Sequence, residues 1–466
     1  MKILFSSNSP LTISGYSIQL EKIAFAIYKY NPNIEFGFVC WELPEHFFPY
    51  SENSYSFQQI KSKLSCNFLN NPLMSDLEKK QLYDMYNCSK FYCCGDRKDH
   101  WHKINIFQQN FGADKLLIFQ DIWIFEQFDI SKINCKKYLY LPIHDDFREY
   151  TMEHFTFGNN GINSHVNTLK HLPYFDKLST FSEFGQNVYK VYDYKDTTYI
   201  PHIIVKSKQL DDNLNKHDLR KQYGFTDDQF LCVMVARNSE NSDRKAFFQQ
   251  LEGFAIFFKK NFVDVNANAN ANANANANAK KNKCKLIIHD NYAYDLKKGA
   301  INLHQLACNL GIIENIIVTD KTFNSEKHIV SLFKMCDVLL CASKSEGFGM
   351  PIVECQMYGT PVITNNTTAM PENTYLGICC DVSCATKNIL GINSWSNPCP
   401  QSIYKALNYF YLLKIYSIKN NCNYNEILDK NIFHVREKSV EKIRAIDEEK
   451  YSSEQIIKLW VDFLEI

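Results

Sequence analysis

The chain has 466 residues and a mass of 54.4 kDa, with 45% hydrophobic and 22% charged residues. That balance excludes wholesale disorder, a collagen-like fibre and a coiled-coil rod, and the length allows two or three domains. Lys+Arg and Asp+Glu both number 51, so no bulk field draws the chain to nucleic acid or to an anionic membrane, and partners must be read from a site.

In chain order, short apolar runs predict strands at Lys2–Ser7, Phe36–Trp41, Lys115–Phe119, Lys137–Pro142 and Leu178–Phe181. After a charged stretch without a strong apolar period, Lys206–Asp228, the runs resume at Phe230–Ala236, Lys285–His289, Asn315–Val318, Asp337–Cys341 and Pro361–Thr364. Helical periods fall between them at Ser17–Tyr30, Ser182–Tyr192, Lys245–Lys260, Leu296–Asn309, Ser325–Met335 and Pro351–Tyr358. Strands that are apolar on both sides and alternate with helices make parallel sheets covered on both faces. The expected fold class is therefore α/β, with two Rossmann-like, doubly wound domains facing a central cleft. Residues 1–205 form the first and 206–438 the second, followed by a C-terminal tail, 439–466. Within that tail, Tyr451–Ile466 reads as an amphipathic helix bearing Ile456, Ile457, Leu459, Trp460 and Phe463.

The start of the chain, Lys2 followed by the short apolar run Ile3–Phe5, is too brief for a signal-peptide core. Nowhere do about 18 apolar residues run together, so no membrane span is indicated. The 17 cysteines are odd in number and lack a framework spacing, which points to free thiols in a reducing, cytoplasmic setting. Cys88, Cys93, Cys94, His100 and His102 could supply four zinc ligands, but their spacing matches no compact finger; free thiols in a helix-loop region is the preferred reading. Seven Asn-Ala pairs at Asn266–Ala279 read as a low-complexity insertion in a surface loop, where added length costs little.

The chemistry concentrates in Cys341–Glu372. Three of the chain's 16 glycines, Gly347, Gly349 and Gly359, fall within 13 residues there. A buried strand ends in a glycine-bearing turn; Pro351 suits the first turn of a helix, Gly359 suits its left-handed end, and Pro361 stops it. A helix N-terminus opening at the carboxyl end of a parallel strand is an anion site, and phosphate is its usual occupant. Glu346 and Glu354 flank the turn. Carboxylates beside a diphosphate would repel it, so they suit its uncharged parts, the hydroxyl pairs of ribose and of sugars. An anion cradle between two diol-binding carboxylates describes a nucleotide sugar.

These residues resemble the group 1 glycosyltransferases (family 4), which have the GT-B fold. The hallmark is a Glu, seven residues and a second Glu in an EGFG-P-hydrophobic-hydrophobic-E context, followed by G-x-P-V, matched by Glu346–Glu354 and Gly359–Val362. The resemblance is strongest over about 230–380, weaker in the first 205 residues and absent over roughly 391–435. It implies a retaining, metal-independent transfer from a nucleotide-diphosphate sugar, with Glu346 on the donor sugar and Glu354 on the ribose, and a return of the terminal helices in 439–466 to pack on the first domain. Gly347, Phe348, Gly349 and Met350 would line the donor. Arg237 and Lys245, after the strand Phe230–Ala236, would take the donor phosphates, with Arg244 an adjacent competitor; the glycine usual after that Lys is Ala246 here. Gly15, at the turn after the first strand, stands where the family has a glycine pair near the diphosphate. His144, after Lys137–Pro142, would hydrogen-bond the transferred sugar, and Asp121 is a weaker acceptor-side candidate. His202 reads as a connector residue, and Thr319 and Asp320 would lie near the base.

Partners expected on this reading are the donor and a glycan, lipid or protein acceptor, with no nucleic acid, no metal and no further cofactor. Three alternatives share these features. A sugar-nucleotide epimerase or hydrolase would need no acceptor. A catalytically silent scaffold would bind the donor alone, as the single Gly15 and the alanine at 246 allow. A sucrose or trehalose phosphate synthase-like enzyme would need a basic set in the first domain, which is not evident.

Overall fold

The computed structural model describes residues 1–12, 14–41, 51–61, 74–93, 100–120, 130–144, 171–206, 208–238, 243–263, 282–290, 300–319, 326–387, 394–424, 427–428 and 450–466. The chain divides into two compact units, Met1–Val205 with Glu449–Ile466, and Lys206–Glu448.

The first unit holds a seven-stranded sheet, all parallel: β1 (Lys2–Asn8), β2 (Glu35–Trp41), β3 (Lys90–Cys93), β4 (Lys115–Phe119), β5 (Lys136–Tyr140), β6 (Lys177–Thr180) and β7 (Thr198–Tyr199), in the order β3-β2-β1-β4-β5-β6-β7. The second holds six parallel strands, β8 (Phe230–Val235), β9 (Cys284–His289), β10 (Ile316–Thr319), β11 (Val338–Cys341), β12 (Val362–Asn365) and β13 (Gly377–Cys380), in the order β10-β9-β8-β11-β12-β13, followed by an antiparallel hairpin of β14 (Val382–Lys387) and β15 (Ser394–Pro398). Both sheets start centrally, run to one edge and then cross to the other, the doubly wound order that puts ligands beyond the carboxyl ends of the strands. The α/β, GT-B-like class expected from sequence is the one observed.

Successive residues of β8 explain why its run is apolar without alternation. Phe230, Cys232 and Met234 face one helical layer with Phe254, Leu407 and Phe410, while Leu231 and Val233 face the other with Phe333 and Ile352. Period-2 geometry with both faces covered leaves no polar side.

The terminal helix, Ser453–Leu464, belongs to the first unit and packs on helix Gly15–Tyr30. Trp460 meets Tyr140 edge-on at 4.9 Å and Phe463 meets Tyr138 at 5.4 Å. Its carboxyl end is met by cations: Lys115 Nζ donates to the Glu465 carbonyl at 2.8 Å, and the Glu465 carboxylate pairs with Lys136 and, at 3.2 Å, Lys177. Positive charge at a helix C-terminus is the favourable end of the dipole.

Several elements differ from the sequence reading. The charged stretch Lys206–Asp228 contains helices Lys208–Asn213 and Lys216–Gln222, the second of which turns Lys216 and Arg220 to a buried carboxylate. Asp337 accepts from Lys216 Nζ at 2.9 Å and from Arg220 Nη2, Lys414 Nζ and the Leu231 amide at 2.8 Å each. The region around Cys88–His102 is not helix and loop alone, because Lys90–Cys93 is a strand on the sheet edge, where its register with β2 decides its state. Cys93 is buried there and Cys88 exposed. Cys94 and the side chains of His100 and His102 lie outside the described residues, among which no cluster could hold a metal ion. The helix expected at Leu296–Asn309 is observed as Leu303–Leu310. Asn266–Ala279, Asp121 and Asp320 also lie outside the described residues. Among those described, no helix is long and apolar enough to cross a membrane.

Candidate functional site

At the carboxyl edge of the second sheet, β11 runs into the turn Ala342–Gly349, every residue of which is buried. Gly349 takes a left-handed conformation at φ 85°, and a Cβ there would come within 2.6 Å of Ile352 Cδ1, so glycine is required. Helix Met350–Met357 starts at once, with Pro351 in its first turn and Gly349, which has no side chain to cap with, at its N-cap. Gly359, at φ 80°, ends it, and the Gly359 amide donates to the Gln356 carbonyl at 2.9 Å. Phe348 is buried, and its carbonyl accepts from Asn373 Nδ2 at 2.8 Å. Met350 and Glu354 are half-buried on the first two turns of the helix.

Glu346 is the centre of the cluster and only 6% exposed. Lys245 Nζ and the Ser343 hydroxyl donate to its Oε1, the latter at 2.7 Å, and Arg244 Nη1 donates to Oε2 at 3.3 Å. Arg244 Nη1 also donates to the Ser345 carbonyl at 3.0 Å. Burial alone would raise the Glu346 carboxyl, but the Lys245 ammonium and the Arg244 guanidinium outweigh it and hold the group at about 2. A carboxyl held that low is an anion at neutral pH and balances the charge of the two cations.

The cation loop is itself built by ion pairing. Asp243, left-handed at φ 49°, accepts the Phe247 amide at 2.7 Å and so caps helix Phe247–Phe262. Burial pushes its carboxyl up, against the Lys344 ammonium 3.4 Å away. The Lys344 amide donates to the Arg244 carbonyl at 2.8 Å, stitching this loop to the turn before Glu346. Ala246 is left-handed at φ 53°, a conformation that favours glycine and explains what a glycine at this position would supply. Among the described residues, three cations (Arg244, Lys245, Lys344) against two carboxylates (Asp243, Glu346) leave one net positive charge near the N-terminus of helix Met350–Met357, while Asp243 caps the neighbouring helix at Phe247. The arrangement can accept an anion at one place.

The structure therefore brings together Glu346, Lys245, Arg244 and the Gly347–Met350 turn. Arg237 stands exposed at the carboxyl end of β8 and is not one of the two cations on Glu346. In the first unit, Gly15 is the exposed first residue of helix Gly15–Tyr30; Ser14 caps that helix by accepting the Ser17 amide at 3.1 Å and accepts from Asn8 Nδ2 at 3.1 Å. His144 is half-buried beyond the end of β5, and the residues after it, 145–150, lie outside the described ones. His202 is buried, stacked on Phe181 at 4.2 Å and bonded to Tyr140 Oη at 3.0 Å; burial pushes its pKa down to about 3, which suits a neutral structural role. Thr319 bonds His289 Nδ1 at 2.8 Å.

Sequence reasoning missed the supports. Ser343 and Lys344 sat inside the motif, where their polarity at a strand end was the available signal. Asn365, buried at the end of β12, donates to the carbonyls of Ser343 at 3.0 Å and Ser396 at 2.6 Å, and no local pattern announces a bridge from β12 to β15.

Two doubly wound units of parallel sheet are the architecture of the GT-B class, which solved structures share with this chain. Anabaena HepE in complex with UDP-glucose shares the fold at 14% identity and a TM-score of 0.60, covering 100% of this chain and 99% of that one. Sucrose-phosphate synthase from Thermosynechococcus elongatus does so at 10% and 0.62, covering 100% and 98%, and WaaG, a glycosyltransferase involved in lipopolysaccharide biosynthesis, at 11% and 0.58, covering 95% and 99%. Residues 215–375, within the second unit, match the model of the glycosyl transferases group 1. A 41.2 kDa protein in the cps region of Klebsiella pneumoniae is 42% identical over 59 residues, a stretch that spans 13% of this chain and 16% of that protein.

Proposed function

We propose that the chain transfers a sugar from a nucleotide-diphosphate sugar to an acceptor hydroxyl with retention of anomeric configuration. The observation that carries this is Glu346 held between Lys245 and Arg244 in the turn that leads into the helix N-terminus at Gly349. On this reading the diphosphate meets the helix end and the two cations, which stabilise the charge that develops as it leaves. Glu346 orients the donor sugar, Glu354 takes the ribose hydroxyls, and Arg237 completes the donor contacts offered by the second unit. Retention follows the resemblance of Glu346–Glu354 to the retaining family. Because fixed side-chain cations take the diphosphate charge, the reaction is read as metal-independent, and turnover should survive EDTA. The acceptor is a hydroxyl of a glycan, lipid or protein.

The HepE complexes contain UDP, UDP with glucose, and UDP-glucose, which makes UDP-sugars the first donors to try. The test is a thermal-shift panel of UDP, GDP, ADP and their common sugar conjugates, with and without Mg²⁺. A ligand at about 100 times its Kd stabilises by roughly 2.7 kcal/mol, a shift of a few degrees. Stabilisation by one base series that Glu354→Ala abolishes is expected. No shift with any nucleotide, in folded protein, would sink the donor site.

A further inference from the structure

We propose that Thr368 is a positioning residue that sets the place of Glu346, an inference that rests on the reading of Glu346 as the donor-sugar carboxylate. Thr368 lies in the loop after β12 and is left-handed at φ 51°. For a β-branched side chain that is a true outlier, because Cβ and the preceding carbonyl crowd one another. Among the described residues the other non-glycine left-handed positions are Asp193, Asn421 and Glu465 at helix ends, and Asp243 and Ala246 in the cation loop. Thr368 thus meets the backbone of Glu346, whose carboxylate is met by Arg244 and Lys245, the two residues between the strained Asp243 and Ala246. Strain of this kind persists only where the surroundings over-determine it.

What holds it there is Glu346. The Glu346 amide donates to Thr368 Oγ1 at 3.1 Å, and the next amide along, Ala369, donates to the Glu346 carbonyl at 3.4 Å. The two bonds grip the backbone of Glu346 on both sides of its Cα, while Ser343, Lys245 and Arg244 grip its carboxylate. The loop is anchored in turn: Thr367 Oγ1 donates to Ser396 Oγ at 3.3 Å, and Asn365 bridges Ser343 and Ser396. Since an uncapped backbone would let the carboxylate swing about Cα, the Thr368 hydroxyl fixes the point from which the Glu346 side chain reaches.

Glycine at 368 would adopt this conformation without strain but has no hydroxyl, whereas serine keeps the hydroxyl, so the two substitutions separate fold from positioning. The experiment compares wild type, Thr368→Gly and Thr368→Ser by amide hydrogen exchange at Glu346 and by UDP released from UDP-glucose. Thr368→Gly is expected to keep or raise the melting temperature yet speed exchange of the Glu346 amide by about fivefold or more, the loss of one hydrogen bond. Its kcat is expected to fall about tenfold with KM within about twofold, as misplacement of an oriented group does. Thr368→Ser should restore both. Unchanged exchange in Thr368→Gly overturns the proposal whatever turnover shows, and equal acceleration in Thr368→Ser overturns it by removing the hydroxyl from the account. If the exchange pattern holds while wild type neither binds nor cleaves any nucleotide sugar, the positioning of Glu346 stands and the glycosyl-transfer reading falls.

Discussion

Glu346 shows how one carboxylate can be buried and remain charged. Two cations and a hydroxyl replace the water it loses, and the consequence is a pH signature. A carboxyl depressed from 4.5 to about 2 contributes stability that is fully present above about pH 4.5 and is lost as pH falls through 2. Acid titration of unfolding should show that slope between about pH 4.5 and 2, and Glu346→Gln should remove it. On the cation side, Lys245→Ala is expected to lower the transfer rate by about 10²-fold, as for one lost preorganised donor, and a loss below about threefold would take Lys245 out of the phosphate role. Ala246 carries a different lesson, since its left-handed backbone is strained for any L side chain. Ala246→Gly should raise unfolding stability by about 0.5–1 kcal/mol in denaturant titration, the steric relief less the entropy of glycine.

At the scale of elements, the second unit is held at the amino edge of its sheet by buried charge and the first by an apolar helix. In the second unit Asp337 ties helices Lys216–Gln222 and Pro400–Asn420 to β8 and β11. Burial pushes the Lys414 ammonium down to about 8 despite Asp337, so the cluster depends on its carboxylate. Asp337→Asn leaves three cations around a buried amide and should cost about 3–5 kcal/mol in equilibrium unfolding. In the first unit the terminal helix is an apolar clamp closed by lysines. Trp460, fully buried, is its largest contact, and Trp460→Ala should cost about 3–5 kcal/mol. A cost under about 1 kcal/mol would mean that the helix contributes little to the first unit.

At the scale of the molecule, two sheets of the same winding order serve one chain, and insertions are tolerated where they avoid the carboxyl edges. Helix Phe247–Phe262 starts at the carboxyl edge beside Lys245 and hands the chain to β9 at the amino edge. Asn266–Ala279 lies along that passage in sequence. Loop-closure entropy grows slowly with length, so deleting Asn266–Ala279 should leave folding and turnover within about twofold; a folded but inactive deletion protein would contradict this.

The amino-acid sequence by itself determined the α/β class and most central strands, because a strand buried on both faces is apolar at every position, as in Phe230–Val235. It also carried the turn at Gly347–Gly349 and the helix that follows, since glycine, proline and the helix start act over a few residues. It did not reveal helix Lys216–Gln222, whose inward side is charged for Asp337, nor β3, whose four residues are too short for a period. Only the tertiary structure decided which cations meet Glu346. Arg237, Arg244 and Lys245 are equivalent as residue types, and choosing among them depends on the backbone path through Asp243 and Ala246. The bridges from Thr368, Asn365 and Ser396 likewise join strands distant in sequence, and pairing of that range is a property of the packed sheet, where burial leaves each polar group one geometry in which it is satisfied.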